Sequence, residues 1–204
     1  ADLVVVNHHL LLADLALKED GYGELLPGVD ALILDEAHQL PDLAAEFFGV
    51  SCSSRQFESL LIDARAELAA VAVPAGVITR LHKLVEQPLR AMGERFGRQE
   101  RRLAWEELAA GAHNDCTALH GALLEFARGL DSQSDAAGVV QCVARARALA
   151  ADLAQVMSEP EDAQAGGARS VAVTPRGFAF SLLPYDISVR FRALVDQHPS
   201  AWIF

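Results

Sequence analysis

The sequence predicts a mixed fold, α/β plus all-α: a parallel-sheet core interrupted by a long helical insertion. Three observations carry this. The first stretch, to Leu34, reads strand, helix, strand within about 35 residues, the size of a βαβ unit. From about Ser51 the texture changes to long amphipathic helices. Beyond the acidic, glycine-bearing stretch Glu159-Pro160-Glu161-Asp162 to Gly166-Gly167, the pattern returns to strands. The expected division is therefore 1–50, 51–165 and 166–204.

Leu3-Val4-Val5-Val6 is a short apolar, β-branched run, the pattern of a buried parallel strand. Asn7-His8-His9 follows as a turn, and Leu10 to Leu17 reads as a helix. Gly21-Tyr22-Gly23 and Pro27-Gly28 punctuate the chain before a second buried strand, Ala31-Leu32-Ile33-Leu34. Phe57, Leu60, Leu61, Ala64, Leu68 and Val71 recur at three-to-four spacing and form one helical face. Pro74-Ala75-Gly76 ends that helix. A second helix runs from about Val77 toward Phe96, with Pro88 expected to kink or break it. A third carries Leu108, Ala112, Cys116, Leu119, Leu123 and Phe126. After the polar loop at 131–135, which can supply a helix N-cap, a fourth carries Val139, Val143, Leu149, Leu153 and Val156. Short connections favour antiparallel packing of the four. Ser170 to Thr174 and Phe178 to Leu182 flank Pro175-Arg176-Gly177 as a hairpin. A short helix over Pro184 to Val195 and a last strand, Ala201 to Phe204, complete the chain. Apolar segments at both ends read as core strands of a larger protein, so an excised segment is expected. The competing reading is a small protein whose terminal strands pair with each other.

Composition narrows the function classes. The chain has 204 residues, 51% hydrophobic and 22% charged, enough apolar material for a real core. No apolar run approaches the length of a membrane span, and no basic stretch with an apolar region after it opens the chain. Cys52, Cys116 and Cys142 are too far apart for a metal set or a disulfide framework, which suits a reducing, cytoplasmic compartment. The net charge of −11 argues against a nonspecific polyanion binder. Within that acidic chain, Arg80 to Arg102 holds seven basic residues against three acids. Arg95, Arg98, Arg101 and Arg102, with Phe96 and Trp105 interleaved, could track a phosphate backbone and stack bases. The alternative is a solvated helix face with Glu86, Glu94 and Glu100 as local partners.

Chemistry concentrates in Asp35-Glu36-Ala37-His38, directly after an apolar strand. Open α/β sheets place ligand sites at the carboxyl ends of their strands. An aspartate there can hold Mg²⁺ through water, as the Walker B acid does. The adjacent glutamate can orient and deprotonate an attacking water. The bland alternative is a capping turn in which Asp35 accepts helix N–H groups. Adjacent residues point apart, so His8 and His9 do not share a metal, and a metal hydrolase built on His8, His9, Asp35 and His38 lacks supporting spacing.

Asp35-Glu36-Ala37-His38 after Leu32-Ile33-Leu34 resembles motif II of the DEAH-type helicases. Ala1-Asp2-Leu3-Val4-Val5-Val6-Asn7-His8-His9-Leu10-Leu11 resembles the segment after the iron–sulfur cysteines of DinG/YoaA-type helicases, bacterial relatives of XPD. Gly177-Phe178, Pro184-Tyr185-Asp186-Ile187 and Ala201-Trp202-Ile203-Phe204 are similar to that family too, most of all to its YoaA branch. The middle of the chain is similar only in helical character. The resemblance implies a partial RecA-like P-loop NTPase motor domain over 1–50 and 166–204, with a helical arch domain over 51–165. It implies Asp35 as the Mg²⁺–ATP ligand, Glu36 as the water-activating base and His38 as a link to other motor motifs. It also implies ATP-driven translocation on single-stranded DNA, 5′ to 3′, in DNA repair. The partners implied are single-stranded DNA, the rest of the helicase polypeptide and replication or repair proteins, without a membrane.

A P-loop needs Gly-x-x-x-x-Gly-Lys-[Ser/Thr], and neither Lys18 nor Lys83 sits in one. The 4Fe-4S cysteines of the family would lie before Ala1, and Cys52, Cys116 and Cys142 do not replace them. The segment alone is therefore expected to bind no cluster and to hydrolyse no ATP. The second hypothesis is a DNA- or protein-binding helical module in which the Asp-Glu-Ala-His turn is coincidental.

Overall fold

The computed structural model describes residues 3–19, 25–158, 167–197 and 201–203. The chain forms two compact units: residues 1–49, 160–167 and 183–204, and residues 50–159 with 168–182.

In the first unit, helix α1 (His8–Glu19) opens where Asn7 Oδ1 accepts the N–H of Leu10 at 2.8 Å. Leu11, Leu12 and Leu15 of α1 are buried with Leu34, and with Leu40, Ala44 and Phe48 of α2 (Leu40–Phe48). The buried Asp14 carboxylate accepts the N–H groups of Leu25 and Leu26 at 2.7 and 2.8 Å, fixing the chain that leads into the sheet. Strand β1 (Ala31–Ile33) pairs in parallel with β6 (Ala201–Ile203), and Leu34 N–H continues the ladder to Ile203 O at 2.9 Å. Helix α7 (Ser188–Gln197) contributes Phe191, whose ring meets Trp202 edge-on.

Two expectations change here. Leu3 to Val6 is not a strand, and Leu3 and Val5 are 80% and 88% exposed. A strand exists only through a partner, and no neighbouring strand is present for it among the described residues. β1 is a parallel strand but not a buried one: Leu32 and Trp202 pack inward while Ile33 and Ile203 stay exposed on the other face.

The second unit joins four helices to a sheet. Helix α3 (Ser54–Ala70) starts in a capping box: Ser53 Oγ accepts Gln56 N–H, and Gln56 Oε1 accepts Ser53 N–H at 2.8 Å. Ala72, at φ 57, turns the chain toward α4 (Ala75–Phe96). Helices α5 (Ala110–Asp131) and α6 (Ala137–Met157) follow, and α3 touches α4 and α6 while α5 touches α4 and α6. The predicted apolar stripes are the buried ones, including Phe57, Leu60, Leu119, Leu123, Phe126 and Leu153. The cap of α6 is Ala136, which makes no side-chain cap bond; Ser134 Oγ accepts the Ala136 N–H instead.

Pro88 neither breaks nor ends α4. Leu81, Val85, Leu89, Met92 and Phe96 bury one continuous face on both sides of it, and that packing outweighs the lost hydrogen bond.

The helical domain is not all-α. Strands β2 (Val50–Ser53), β3 (Arg101–Ala104), β4 (Gly167–Thr174) and β5 (Gly177–Pro184) form an antiparallel sheet in the order β2-β5-β4-β3. The hairpin expected in the returning segment packs with the helices, because Val171, Val173, Phe178 and Phe180 alternate onto their core. Phe178 and Phe180 both meet Phe96, at ring distances of 5.2 and 6.1 Å. At Gly177 (φ +143) the Phe178 N–H reaches Ser54 Oγ, and a Cβ would sit 2.1 Å from that oxygen. Only glycine fits this approach.

Candidate functional site

The Asp35-Glu36 pair stands one residue past Leu34, at the carboxyl edge of the β1/β6 parallel pair. The chain turns sharply there. Glu36 takes the left-handed conformation, φ 52 and ψ 39, and a 3-10 helix (Ala37–Gln39) begins immediately after it. Asp35 Oδ1 accepts the Glu36 N–H at 3.0 Å, and Glu36 O accepts the Gln39 N–H at 2.9 Å. The 3-10 helix has no side-chain cap bond, so Asp35 is not the helix cap of the bland reading. His38 Nδ1 lies 3.2 Å from Glu36 Oε2, with both side chains more than half exposed. The turn thus projects two carboxylates and an imidazole outward from a strand end.

Asp35 Oδ2 has no partner among the described residues, so this carboxylate has an oxygen left to accept a further bond. Among the described residues, no group of three His, Cys, Asp or Glu could hold a metal by itself. His8 and His9 open α1 as part of no such group.

An iron–sulfur cluster does not fit this chain's cysteines. Cys52, Cys116 and Cys142 are buried, one each on β2, α5 and α6. Burial pushes the thiols of Cys52 and Cys116 up to about 12, so they stay protonated, whereas cluster ligands are thiolates.

The four arginines proposed for DNA separate into two kinds. Arg95 is ion-paired with Asp115 of α5, and Arg101 donates to Phe96 O at 3.1 Å. Arg98 and Arg102 are exposed and have no ion-pair partner among the described residues. Arg101 and Arg102 lie on β3, not on a helix face. Phe96 and Trp105 are 3% and 5% exposed, so base stacking on them is excluded; they are core residues. Sequence reasoning also missed three ion pairs. Arg145 joins Asp63 and Ser59 of α3, and Arg147 reaches Asp131. Arg169 bonds both Glu106 and Ser158 O while lying over Trp105. Partners so distant in sequence leave no local signal.

Asp-Glu-Ala-His thus follows a parallel strand whose neighbour comes from the far end of the chain. By sequence similarity the chain is a segment of a DinG/YoaA-type helicase. Over its whole length it is 35% identical to the ATP-dependent DNA helicase YoaA of Escherichia coli K12 and spans 32% of that protein. A stretch of 63 residues, 31% of the chain, is 60% identical to the ATP-dependent DNA helicase YoaA of Haemophilus influenzae, covering 10% of it. No protein-family model matches the chain.

Proposed function

We propose that the chain supplies the acid half of the ATP-hydrolysis site of a DNA helicase and carries that helicase's arch. The whole-length similarity to a YoaA helicase carries this reading, and the Asp-Glu-Ala-His turn gives it chemistry. The first unit is read as part of motor domain 1, and the second, residues 50–159 with 168–182, as the arch. Asp35 would hold Mg²⁺, which would supply positive charge to neutralise the phosphates. Glu36 accepts the proton of the attacking water. The Walker A loop, the second motor domain and the 4Fe-4S ligands belong to the rest of the polypeptide, so this chain alone hydrolyses no ATP. Coupled to the whole, hydrolysis drives 5′ to 3′ translocation on single-stranded DNA in repair.

The test is DNA-stimulated ATP hydrolysis by the parent polypeptide, wild type against Glu36→Gln. Loss of a general base costs on the order of 10²–10⁴-fold in turnover. Collapse with nucleotide binding retained is the expected result. Equal turnover in the two proteins would make the turn structural and favour a binding module.

A further inference from the structure

We propose that Tyr185, at the corner between β5 and α7, is a base-stacking residue for single-stranded DNA: its ring takes the flat face of one nucleobase. The identity of that ligand rests on the helicase reading. The corner is the stretch Pro184-Tyr185-Asp186-Ile187, which the hydrolysis site does not use. Tyr185 is 72% exposed, while every other described aromatic ring is buried or half-buried. Phe191 of the same unit meets Trp202, whereas the Tyr185 ring meets no other ring among the described residues. Its hydroxyl has no hydrogen-bond partner among them either.

The main chain on both sides of this ring is held. Pro184 closes β5, its φ fixed by the pyrrolidine ring. Asp186 Oδ1 accepts the Ser188 N–H at 2.7 Å where α7 begins, and Ile187 O accepts the Phe191 N–H at 2.8 Å. Ile187 and Phe191 pack against the core of the first unit. Tyr185 therefore has only its two side-chain torsions to order when a ligand arrives. The flanks select the ligand. A docked protein needs a contiguous apolar patch, and Asp186 and Ser188 beside the ring are polar and exposed. A phosphate needs a cation or a donor, and the ring's neighbour in sequence is a carboxylate, Asp186. A base needs only a planar apolar surface, because every base has a π-face.

The experiment uses the full-length parent polypeptide. Equilibrium binding without nucleotide is measured by fluorescence anisotropy, to a thymidine oligonucleotide and to an abasic oligonucleotide of the same length; KM for ATP is measured separately. The variants are Tyr185→Ala, Tyr185→Phe and Tyr185→Trp. Tyr185→Ala should raise Kd for the thymidine strand by about 5- to 100-fold, the loss of one stacked base. Tyr185→Phe and Tyr185→Trp keep a ring and should bind as wild type does. On the abasic strand Tyr185→Ala and wild type should bind alike, and their salt slopes should match on both strands, because no phosphate contact is lost. Unchanged affinity of Tyr185→Ala for the thymidine strand, or an equal loss on both strands, would overturn the stacking role. A raised KM for ATP with DNA affinity retained would assign the ring to adenine and overturn it as well. Absence of single-strand binding by the wild-type parent would instead sink the helicase reading, and this inference with it.

Discussion

Asp152 is a carboxylate that the helical core works against. Burial on α6 pushes its carboxyl above the ordinary aspartate range, and no hydrogen-bond partner offsets this among the described residues. A raised folded-state pKa means that the folded chain binds this proton more tightly than the unfolded chain. Its contribution to stability is therefore complete below the usual aspartate pKa and is lost as pH rises through the raised one. Asp152→Asn should melt higher than wild type at neutral pH, with the gap narrowing as pH falls toward that raised value in thermal scans. A wild-type advantage at pH 7 would contradict the desolvation argument. Asp63 has the opposite sign: the Arg145 guanidinium hydrogen-bonded to it holds its carboxyl below the ordinary range. The left-handed Glu36 costs about 1 kcal/mol or more of strain, a cost of the kind that folds concentrate where chemistry is done.

Helix α4 carries a proline in its interior and still runs unbroken through 22 residues. A helix-interior proline is worth about 3 kcal/mol less than alanine, so Pro88→Ala should raise stability by up to that amount in denaturant titrations. An unchanged midpoint would mean that the helix has already relaxed around the ring. Strand β3 is an edge strand. Ala104 N–H points away from β4 and donates to Glu107 Oε2, and alternation along the ladder aims the main-chain groups of Arg102 outward too. A short edge bearing two arginines discourages pairing with another strand, yet it presents charge to an anion. For single-strand binding by the parent polypeptide, Arg98→Ala with Arg102→Ala should flatten the salt slope by up to about 1.4, at about 0.7 per phosphate. Arg95→Ala, whose guanidinium already has Asp115, should leave the slope alone. An undiminished slope in the double variant would remove β3 from the DNA path. The sequence made α3 to α6 legible because their apolar spacing is regular and long. It hid β3, because Arg101-Arg102-Leu103-Ala104 has no apolar–polar alternation and owes its extension to β4. It misread Leu3 to Val6, because an apolar β-branched run signals a strand whether or not a partner is there. The Asp-Glu-Ala-His turn was legible as a motif, while its left-handed residue and the His38 contact were not.

The second unit keeps its entry and exit side by side, since Val50 and Leu182 are direct partners in the β2/β5 ladder. A polypeptide of residues 50–182 should therefore fold cooperatively by circular dichroism and calorimetry. One cut at residue 165 loses Val171, Val173, Phe178 and Phe180 from the core, at roughly 1.5–3 kcal/mol each. That sum rivals the net stability of about 5–15 kcal/mol of a whole domain, so the shorter piece should stay unfolded. Equal melting of the two would separate the hairpin from the helical core. The same closed ladder governs the order of assembly during synthesis. Between Ile33 and Ala201 lie 167 residues, so at roughly 5–20 residues per second β1 waits about 8 to 34 s for its partner to be made. A second unit folded in that interval joins its own ends and reduces the loop that β1 and β6 must close to residues 34–49 and 183–200. Going from about 167 to about 34 free residues lowers the closure cost by about 1.4 kcal/mol. Core damage in the helical unit thus reaches the strand that leads into Asp35 through the length of unfolded chain that β1 and β6 must close.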